Sequence, residues 1–171
     1  EVISSKLIGN YNCTNIQAAI SIGNYFGVNF KDIKSAIQHY TPQNNRSQLE
    51  KTSKGNSLII DYYNANPTSM IKAMQSFYML RSDKKLLILG DMLELGESSI
   101  NEHQKIINEL NKEESEAILI GAEFGKCEHS FNQFKDVNEA KEWLQQKTYS
   151  DYFILLKGSR GIKLEEIKDL L

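Results

Sequence analysis

Short, wholly apolar stretches alternate with amphipathic stretches along most of this chain. The apolar runs lie at 58–60, 86–89, 117–120 and 153–156. Each run is far too short to span a bilayer and has the length of a strand buried on both faces of a parallel sheet. The stretches between them repeat apolar residues at spacings of three and four, which predicts helices packed on the sheet. This alternation predicts an α/β fold, a Rossmann-like, mostly parallel and doubly wound sheet with helices on both faces.

Turn formers and helix caps indicate where the elements begin and end. Gly55 precedes the strand that runs into Asp61, and Pro67 marks the start of the following helix. We predict strands at 1–9, 47–52, 57–63, 86–89, 117–120, 128–132 and 152–156. We predict helices at 16–26, 30–40, 67–81, 99–112, 136–147 and 162–171.

Residues 1–41 differ from the rest of the chain. One predicted strand and two helices cannot form a core of their own, and the turn formers at 41–45 follow them. We therefore interpret 1–41 as the mainly helical end of a preceding domain and 42–171 as a second, α/β domain. Glu1 is not a natural start, and we expect the chain to be a fragment of a longer protein.

Composition excludes several classes of partner. The net charge is −2, so no basic excess favours nucleic acid and no single-sign field favours a membrane surface. The two cysteines, Cys13 and Cys127, belong to no CxxC pair, so neither a disulfide framework nor a zinc site is indicated. We expect buried or half-buried thiols in a reducing cytoplasm, no membrane insertion, and a monomer.

Polar residues follow each predicted strand, and in a parallel α/β sheet ligands bind beyond the carboxyl ends of the strands. The first of these ends carries Asp61, Tyr63, Asn64 and Asn66. The later ends carry the segments 90–96, 121–123 and 157–160. An ordinary strand–turn–helix junction with good caps is the alternative interpretation of the first end.

The last strand end has the composition of an anion site. Gly158 permits close approach of the backbone, and Ser159 with the amides that follow it can hold an anion, helped by Lys157 and Arg160. A solvated turn with a capping serine is the alternative.

Asp91 and Glu94 are two acids on one loop. They could bind an ammonium group or a metal-bound water, or they could complement a helix dipole. His103 follows on the next helix, where a lone histidine is more often structural than catalytic. The sequence has no nucleophile elbow and no zinc spacing, and the segment 121–126 lacks the spacing of a phosphate-binding loop.

Taken together, these motifs resemble those of the Mur ligase family over nearly the whole chain and in the same order. Residues 9–15 resemble a helix start late in the family's central ATPase domain, and Asn45-Arg46-Ser47-Gln48 looks like the start of its C-terminal domain. Lys157-Gly158-Ser159-Arg160 completes the set. One combination is characteristic of the member that uses D-alanyl-D-alanine: Asn64-Ala65-Asn66-Pro67 with Gly90-Asp91-Met92-Leu93-Glu94-Leu95-Gly96.

The resemblance implies an ATP-driven ligase that adds D-alanyl-D-alanine to UDP-N-acetylmuramoyl-tripeptide in peptidoglycan precursor synthesis. In the family reaction, ATP phosphorylates the terminal carboxylate of the tripeptide, and the amine of the dipeptide attacks the acyl phosphate. The charge that develops needs cations and Mg²⁺. The phosphate-binding loop and the Mg²⁺ ligands would lie before Glu1, so the resemblance implies no metal ligand within this chain and an inactive fragment.

The resemblance also implies roles for individual residues. Asn12 and Asn15 would contact the adenine, and Tyr63 would flank the nucleotide. The two implied catalytic residues also touch the nucleotide: Arg46 would reach the terminal phosphate when the domain closes, and Asp61 would bind the ribose or hold the hinge-side geometry. The implied dipeptide-binding residues are Asn64, Asn66, Asp91, Glu94 and Ser159.

Two other functions stay open. A sibling ligase that adds another amino acid is one, although the loop 64–67 and the absence of an arginine-bearing DNPR motif argue against the sibling that adds a diamino acid. A non-catalytic Rossmann-like binding module is the other.

Overall fold

A six-stranded sheet organises residues 2–9, 11–43 and 45–171, the part of the chain that the computed structural model describes. Its strands are β1 (Gln48–Lys51), β2 (Ser57–Asp61), β3 (Lys85–Gly90), β4 (Ala117–Ile120), β5 (Asn132–Phe134) and β6 (Phe153–Lys157). They lie in the order β1-β2-β6-β3-β4-β5; β1 is antiparallel to β2, and the other neighbours are parallel. The predicted mostly parallel sheet is confirmed.

The α-helices of the described residues are α1 (Asn12–Tyr25), α2 (Phe30–His39), α3 (Pro67–Tyr78), α4 (Ser99–Lys112) and α5 (Val137–Leu144). Short 3₁₀ segments occur at Gly96–Ser98, Phe124–Lys126, Arg160–Ile162 and Leu164–Leu170. None of these helices combines the length and the apolar composition that a membrane span requires.

Both faces of the sheet are covered, as expected for strands that are apolar throughout. On one face, α3 and α4 pack on alternate strand residues such as Ile59, Leu87 and Leu155. On the other face, α5 and the C-terminal segment 164–171 pack on the residues between them, such as Leu58 and Leu156. Because successive strand side chains point to opposite faces, each short apolar run contributes to both cores.

Capping explains why α3 starts where the sequence predicts. The Asn66 side chain accepts the Ser69 backbone N–H at 2.9 Å, and the Ser69 Oγ accepts the Asn66 backbone N–H at 3.1 Å. This reciprocal pair satisfies two N–H groups of the first turn, and Pro67 occupies the first helical position, where no N–H is needed.

The N-terminal segment corrects one prediction. Residues 2–9 form no strand, so the predicted strand is wrong there; Glu1, like Asn10 and Asn44, lies outside the described residues. The sheet consists of β1 to β6 and does not include this segment. α2 forms as predicted, whereas α1 starts at Asn12, four residues before its predicted start. In and beside these helices, several large apolar side chains are exposed: Ile22, Tyr25, Phe26, Val28 and Phe30.

Other elements also differ from their predicted type or range. The last helix predicted at 162–171 is two 3₁₀ segments, because Lys163 adopts a left-handed conformation (φ 59°) between them. β2 ends at Asp61 rather than at residue 63, and the weak strand lies at 132–134 rather than 128–132. Cys127 is half-buried as expected, whereas Cys13 is exposed.

Asn56 joins the amino ends of β2 and β6. Its side chain is fully buried; Nδ2 donates to the Tyr149 carbonyl at 2.9 Å, and Oδ1 accepts the Tyr152 N–H at 2.9 Å. The Asn56 side chain therefore satisfies a backbone carbonyl and a backbone N–H of the loop before β6.

We predict that Asn56→Ala destabilises this domain by about 1–3 kcal/mol, because it leaves a buried N–H and a buried carbonyl without partners. Hydrogen exchange of the β2 and β6 amides, in the protein expressed from its complete gene, measures this locally. Asn138→Ala is the control, since Asn138 is exposed on α5. Equal protection in the two variants would show that the Asn56 bonds contribute nothing.

Candidate functional site

The carboxyl ends of β2, β6 and β3 lie side by side. Asp61, the last residue of β2, is paired in register with Lys157, the last residue of β6, and Lys157 is also paired with Leu89 of β3. Asp61 and Ser159 therefore lie on the same rim of the sheet, as expected for strand ends that form one site.

A buried ion pair connects two of these strand ends. The Lys157 side chain is 1% exposed, and its Nζ lies 2.6 Å from Oδ2 of Asp61, whose side chain is 16% exposed. The same ammonium donates to the Asn64 carbonyl at 3.4 Å. Removing a lysine from water is costly unless its charge is paired and its protons are bonded, so Lys157 constrains the position of Asp61 and of the loop after it.

Asp61 also contacts the segment before β1. The Ser47 backbone N–H donates to Oδ1 of Asp61 at 3.3 Å, and the Ser47 Oγ lies 2.7 Å from the Tyr11 hydroxyl. This chain of bonds links the start of α1 to the end of β2. Burial raises the pKa of the Tyr11 hydroxyl, partly offset by its bond to Ser47.

A broad cleft of about 1210 Å³ opens between the start of α1 and the sheet rim. Asn15 and Thr14 line it on the α1 side, and Asp61, Asn66 and Lys72 line it on the sheet side. Asn12 lies just behind: its buried Nδ2 donates to the Ile8 carbonyl at 2.7 Å, and its Oδ1 accepts from Asn15 at 3.0 Å. Asn12 thus orients Asn15 toward the cleft.

Asp91 supports the rim from below rather than lining the cleft. It is 2% exposed, and its two carboxylate oxygens accept the Glu123 N–H at 2.8 Å and the Phe124 N–H at 3.0 Å. Burial raises the pKa of the Asp91 carboxyl, and these two N–H groups oppose that rise. The structure therefore assigns this predicted site acid a place inside the protein, joining the loops after β3 and β4.

Ser159 fastens the loop after β6 to the loop after β3. Its backbone N–H donates to the Asp91 carbonyl at 3.1 Å, and its Oγ accepts the Leu93 N–H at 2.9 Å. Glu94, one residue further, is exposed and has a positive φ of 68°. The loop thus presents Glu94 to solvent while Ser159 holds it in place.

His103 completes the support of this loop. It is fully buried; Nε2 accepts the Met92 N–H at 3.0 Å, and Nδ1 lies 2.7 Å from the Ser99 carbonyl. An acceptor at Nε2 and a donor at Nδ1 describe a neutral imidazole with its proton on Nδ1. The structural role expected of a lone helical histidine is the role that these contacts show.

Arg46 and Tyr63 meet on the other side of Asp61. The Arg46 guanidinium lies 4.1 Å from the centre of the Tyr63 ring, a cation–π contact. Asn64 is exposed beside Tyr63, whereas Asn66 is committed to capping α3 through its Oδ1. The structure therefore brings Arg46, Asp61, Tyr63 and Asn64 together around the end of β2.

Three residues that hold this site have contacts that local sequence patterns do not reveal. Lys157 is predicted as an anion ligand, but it forms a buried ion pair with Asp61. His103 is predicted to be structural, but its bonds to Met92 and Ser99 follow only from the fold. Ser47 lies in the motif at 45–48, but its contacts with Tyr11 and Asp61 join segments that are distant in the sequence.

A family model for the Mur ligase glutamate ligase domain matches residues 45–160. A curated UDP-N-acetylmuramoyl-tripeptide--D-alanyl-D-alanine ligase from Bacillus subtilis is 36% identical over 177 residues, which cover 96% of this chain and 39% of the relative. A relative of the same name from Buchnera aphidicola subsp. Acyrthosiphon pisum is 31% identical, covering 99% of this chain and 38% of its own length. The chain thus spans about two fifths of these curated relatives.

Solved structures agree with this likeness. MurF from Acinetobacter baumannii superposes with a TM-score of 0.81 at 26% identity, covering 96% of this chain and 38% of that one. A MurF ligase from Thermotoga maritima, in complex with ADP, gives a TM-score of 0.78 at 19% identity, covering 96% and 39%. At that identity, the second likeness concerns the fold alone.

We predict that breaking the Asp61–Lys157 pair from one side is worse than removing it. Asp61→Asn should destabilise the domain by about 3–5 kcal/mol because it leaves a buried ammonium without its counter-charge, and the double variant Asp61→Asn/Lys157→Met should recover part of this loss. Hydrogen exchange of the β6 amides measures the loss of stability in the single variant and in the double variant. Additive losses in the double variant would contradict a coupled pair.

A second prediction concerns the Asp91 carboxylate. Gly121 has a φ of +136°, and a Cβ there would collide with that carboxylate. Gly121→Ala should therefore release the Glu123 and Phe124 N–H groups and destabilise the β3–β4 rim by more than about 1–3 kcal/mol. Gly96→Ala is the matched control, since Gly96 also has a positive φ but nothing lies within 4 Å of an added Cβ. Equal losses, measured by exchange of the β4 amides, would exclude the collision.

Proposed function

The chain belongs to the Mur ligase family, and from this premise we propose that the protein carrying it joins D-alanyl-D-alanine to UDP-N-acetylmuramoyl-tripeptide with ATP. Support comes from curated relatives of that name, which are similar along nearly the whole chain. We also propose the division into residues 1–41, the end of a central ATPase domain, and 42–171, the C-terminal domain. The sequence contains no phosphate-binding loop, so these 171 residues alone are proposed to be inactive.

The proposed reaction has two steps. A carboxylate oxygen of the tripeptide attacks the terminal phosphorus of ATP, which forms an acyl phosphate and releases ADP. The dipeptide amine then attacks the acyl carbon; a C–N bond forms, the C–O bond to phosphate breaks, and the amine loses a proton. Both steps spread negative charge over phosphate oxygens, which nearby cations stabilise.

The observation that carries the proposal is the convergence of the motif-bearing loops at one rim. The strand ends at Asp61 and Lys157 are register partners, and Ser159 is bonded to the Asp91–Leu93 loop. Motifs from three separate parts of the sequence therefore face one region, as a site that brings two substrates together requires.

On the nucleotide side, we propose that Asn15 contacts the adenine and that Asn12 orients the Asn15 side chain. Asp61 binds the ribose or fixes the hinge-side geometry, and Tyr63 flanks the nucleotide. Arg46 reaches the terminal phosphate when the C-terminal domain closes on the central one. An exposed guanidinium resting on an aromatic ring suits this role, because it keeps its N–H groups free for phosphate oxygens.

On the dipeptide side, we propose Asn64, Asn66, Glu94 and Ser159 as the lining residues. Asp91 acts from inside the protein, by holding the loop that presents Glu94. Ser159 keeps a hydroxyl hydrogen to donate while its oxygen accepts from Leu93.

Mg²⁺ is proposed to accompany ATP. Its protein ligands are proposed to lie outside residues 1–171. A cytoplasmic monomer is proposed, because the reaction draws on ATP and a UDP-linked precursor.

We predict that the protein from the complete gene releases phosphate from ATP when UDP-N-acetylmuramoyl-tripeptide and D-alanyl-D-alanine are both present. Replacing the dipeptide with D-glutamate, L-lysine or meso-diaminopimelate should abolish release, as measured by a phosphate assay. Release with one of these amino acids, when each is supplied with the UDP-linked precursor that lacks it, would instead identify a sibling ligase. No release with any acceptor would leave a non-catalytic binding module.

Arg46→Ala should lower kcat in this assay by about 10²–10³-fold, the usual effect of removing one group that stabilises transition-state charge. Arg81→Ala is the control, because Arg81 is exposed just after α3 and away from the carboxyl rim. An unchanged kcat in Arg46→Ala would exclude the phosphate role of Arg46.

A further inference from the structure

Two guanidinium groups share the Tyr63 ring. Arg46 lies 4.1 Å from the ring centre and Arg160 lies 5.8 Å from it. The two charges therefore cannot be farther apart than the sum of these distances, although Arg46 precedes β1 and Arg160 follows β6. A cation–π contact with the ring restrains each side chain and leaves its N–H groups for a ligand.

Neither guanidinium forms an ion pair with a carboxylate in the described ranges 2–9, 11–43 and 45–171. Both line a pocket of about 580 Å³, together with Tyr62, Tyr63 and Glu165. Two cations and one acid in the same pocket leave a net positive charge. The pocket therefore favours an anionic group.

The backbone that carries Arg160 is firmly held. The preceding Ser159 is buried and bonded to the Asp91 carbonyl and to the Leu93 N–H. On the other side, the Arg160 carbonyl accepts the Lys163 N–H at 3.1 Å. Arg160 itself is exposed, so the reach of its side chain is set by this firmly held turn.

We propose that Arg160 binds the free carboxylate of the incoming dipeptide, an inference that rests on the proposed function. An extended dipeptide spans about 7 Å from its amine to its carboxylate. With its amine near the phosphate that Arg46 contacts, its carboxylate reaches a second guanidinium on the same ring. The planar fork of arginine matches a carboxylate with two parallel hydrogen bonds.

Glu165 distinguishes this ligand from a polyphosphate. Its side chain lines the pocket that Arg46 and Arg160 share, so the pocket carries one net positive charge, which matches a single carboxylate or one terminal phosphate better than a whole chain of phosphates. A zwitterionic dipeptide carries only one carboxylate, so it tolerates that neighbour. Arg160 is therefore a specificity-determining residue for acceptors that end in a free carboxylate.

The test compares D-alanyl-D-alanine with its C-terminal amide as acceptors, using the protein from the complete gene. Wild type should have a kcat/KM about 10- to 100-fold higher for the dipeptide acid than for its amide. This ratio corresponds to the free energy of one charge-assisted hydrogen bond. Arg160→Ala should lose this preference by becoming slower with the acid only, at unchanged KM for ATP. Arg160→Gln, a polar residue without the charge, should behave likewise if the alanine variant fails to fold.

Two control variants sharpen the comparison. Arg46→Ala should slow the acid and the amide equally, because its proposed partner is the phosphate, and Arg81→Ala should change neither rate. An equal loss for acid and amide in the Arg160 variants, or a raised KM for ATP, would overturn the proposal by assigning Arg160 to the nucleotide. If wild type ligates neither acceptor, the proposed function itself fails, and the role of Arg160 with it.

Discussion

The buried ammonium of Lys157 is the constraint on which the rim of the sheet depends. It lies at the end of β6, and its counter-charge and one of its acceptors come from the end of β2 and the loop beyond it. Because an unpaired charge at this depth costs several kcal/mol, the two strand ends cannot drift apart without a large penalty. The exposed edge of Asp61 thus has a fixed position at the rim.

A second group of contacts does the same for the loops after β3, β4 and β6. Asp91 accepts two N–H groups from the β4 loop through its carboxylate and the Ser159 N–H through its carbonyl. A neutral His103 accepts the Met92 N–H beneath them. Most polar groups in these loops are satisfied internally, so the loops form one rigid support with only selected side chains, such as Glu94 and Arg160, facing outward.

Buried supporting residues and exposed side chains lie next to each other in these loops. The supports lie in the strand ends and tie the loops to the sheet, whereas the outward side chains sit one residue beyond a support: Tyr63 follows Tyr62, and Arg160 follows Ser159. A change in an outward residue has little effect on the fold. A change in a buried supporting residue disturbs the fold of the loop itself.

The sequence by itself determined the class of fold, the two-sided core and most element positions, because apolar periodicity and capping are local properties. Pro67 and Asn66 mark the start of α3, and the runs at 86–89 and 117–120 mark buried strands. The order of the strands, with β6 inserted between β2 and β3, is a long-range property that no local pattern encodes. Only the tertiary structure therefore decided that Lys157 pairs with Asp61, that Asp91 faces inward, and that Arg46 and Arg160 meet on one ring. Each of these depends on which distant strands become neighbours, and burial then sets whether a charged side chain supports the loop or faces outward.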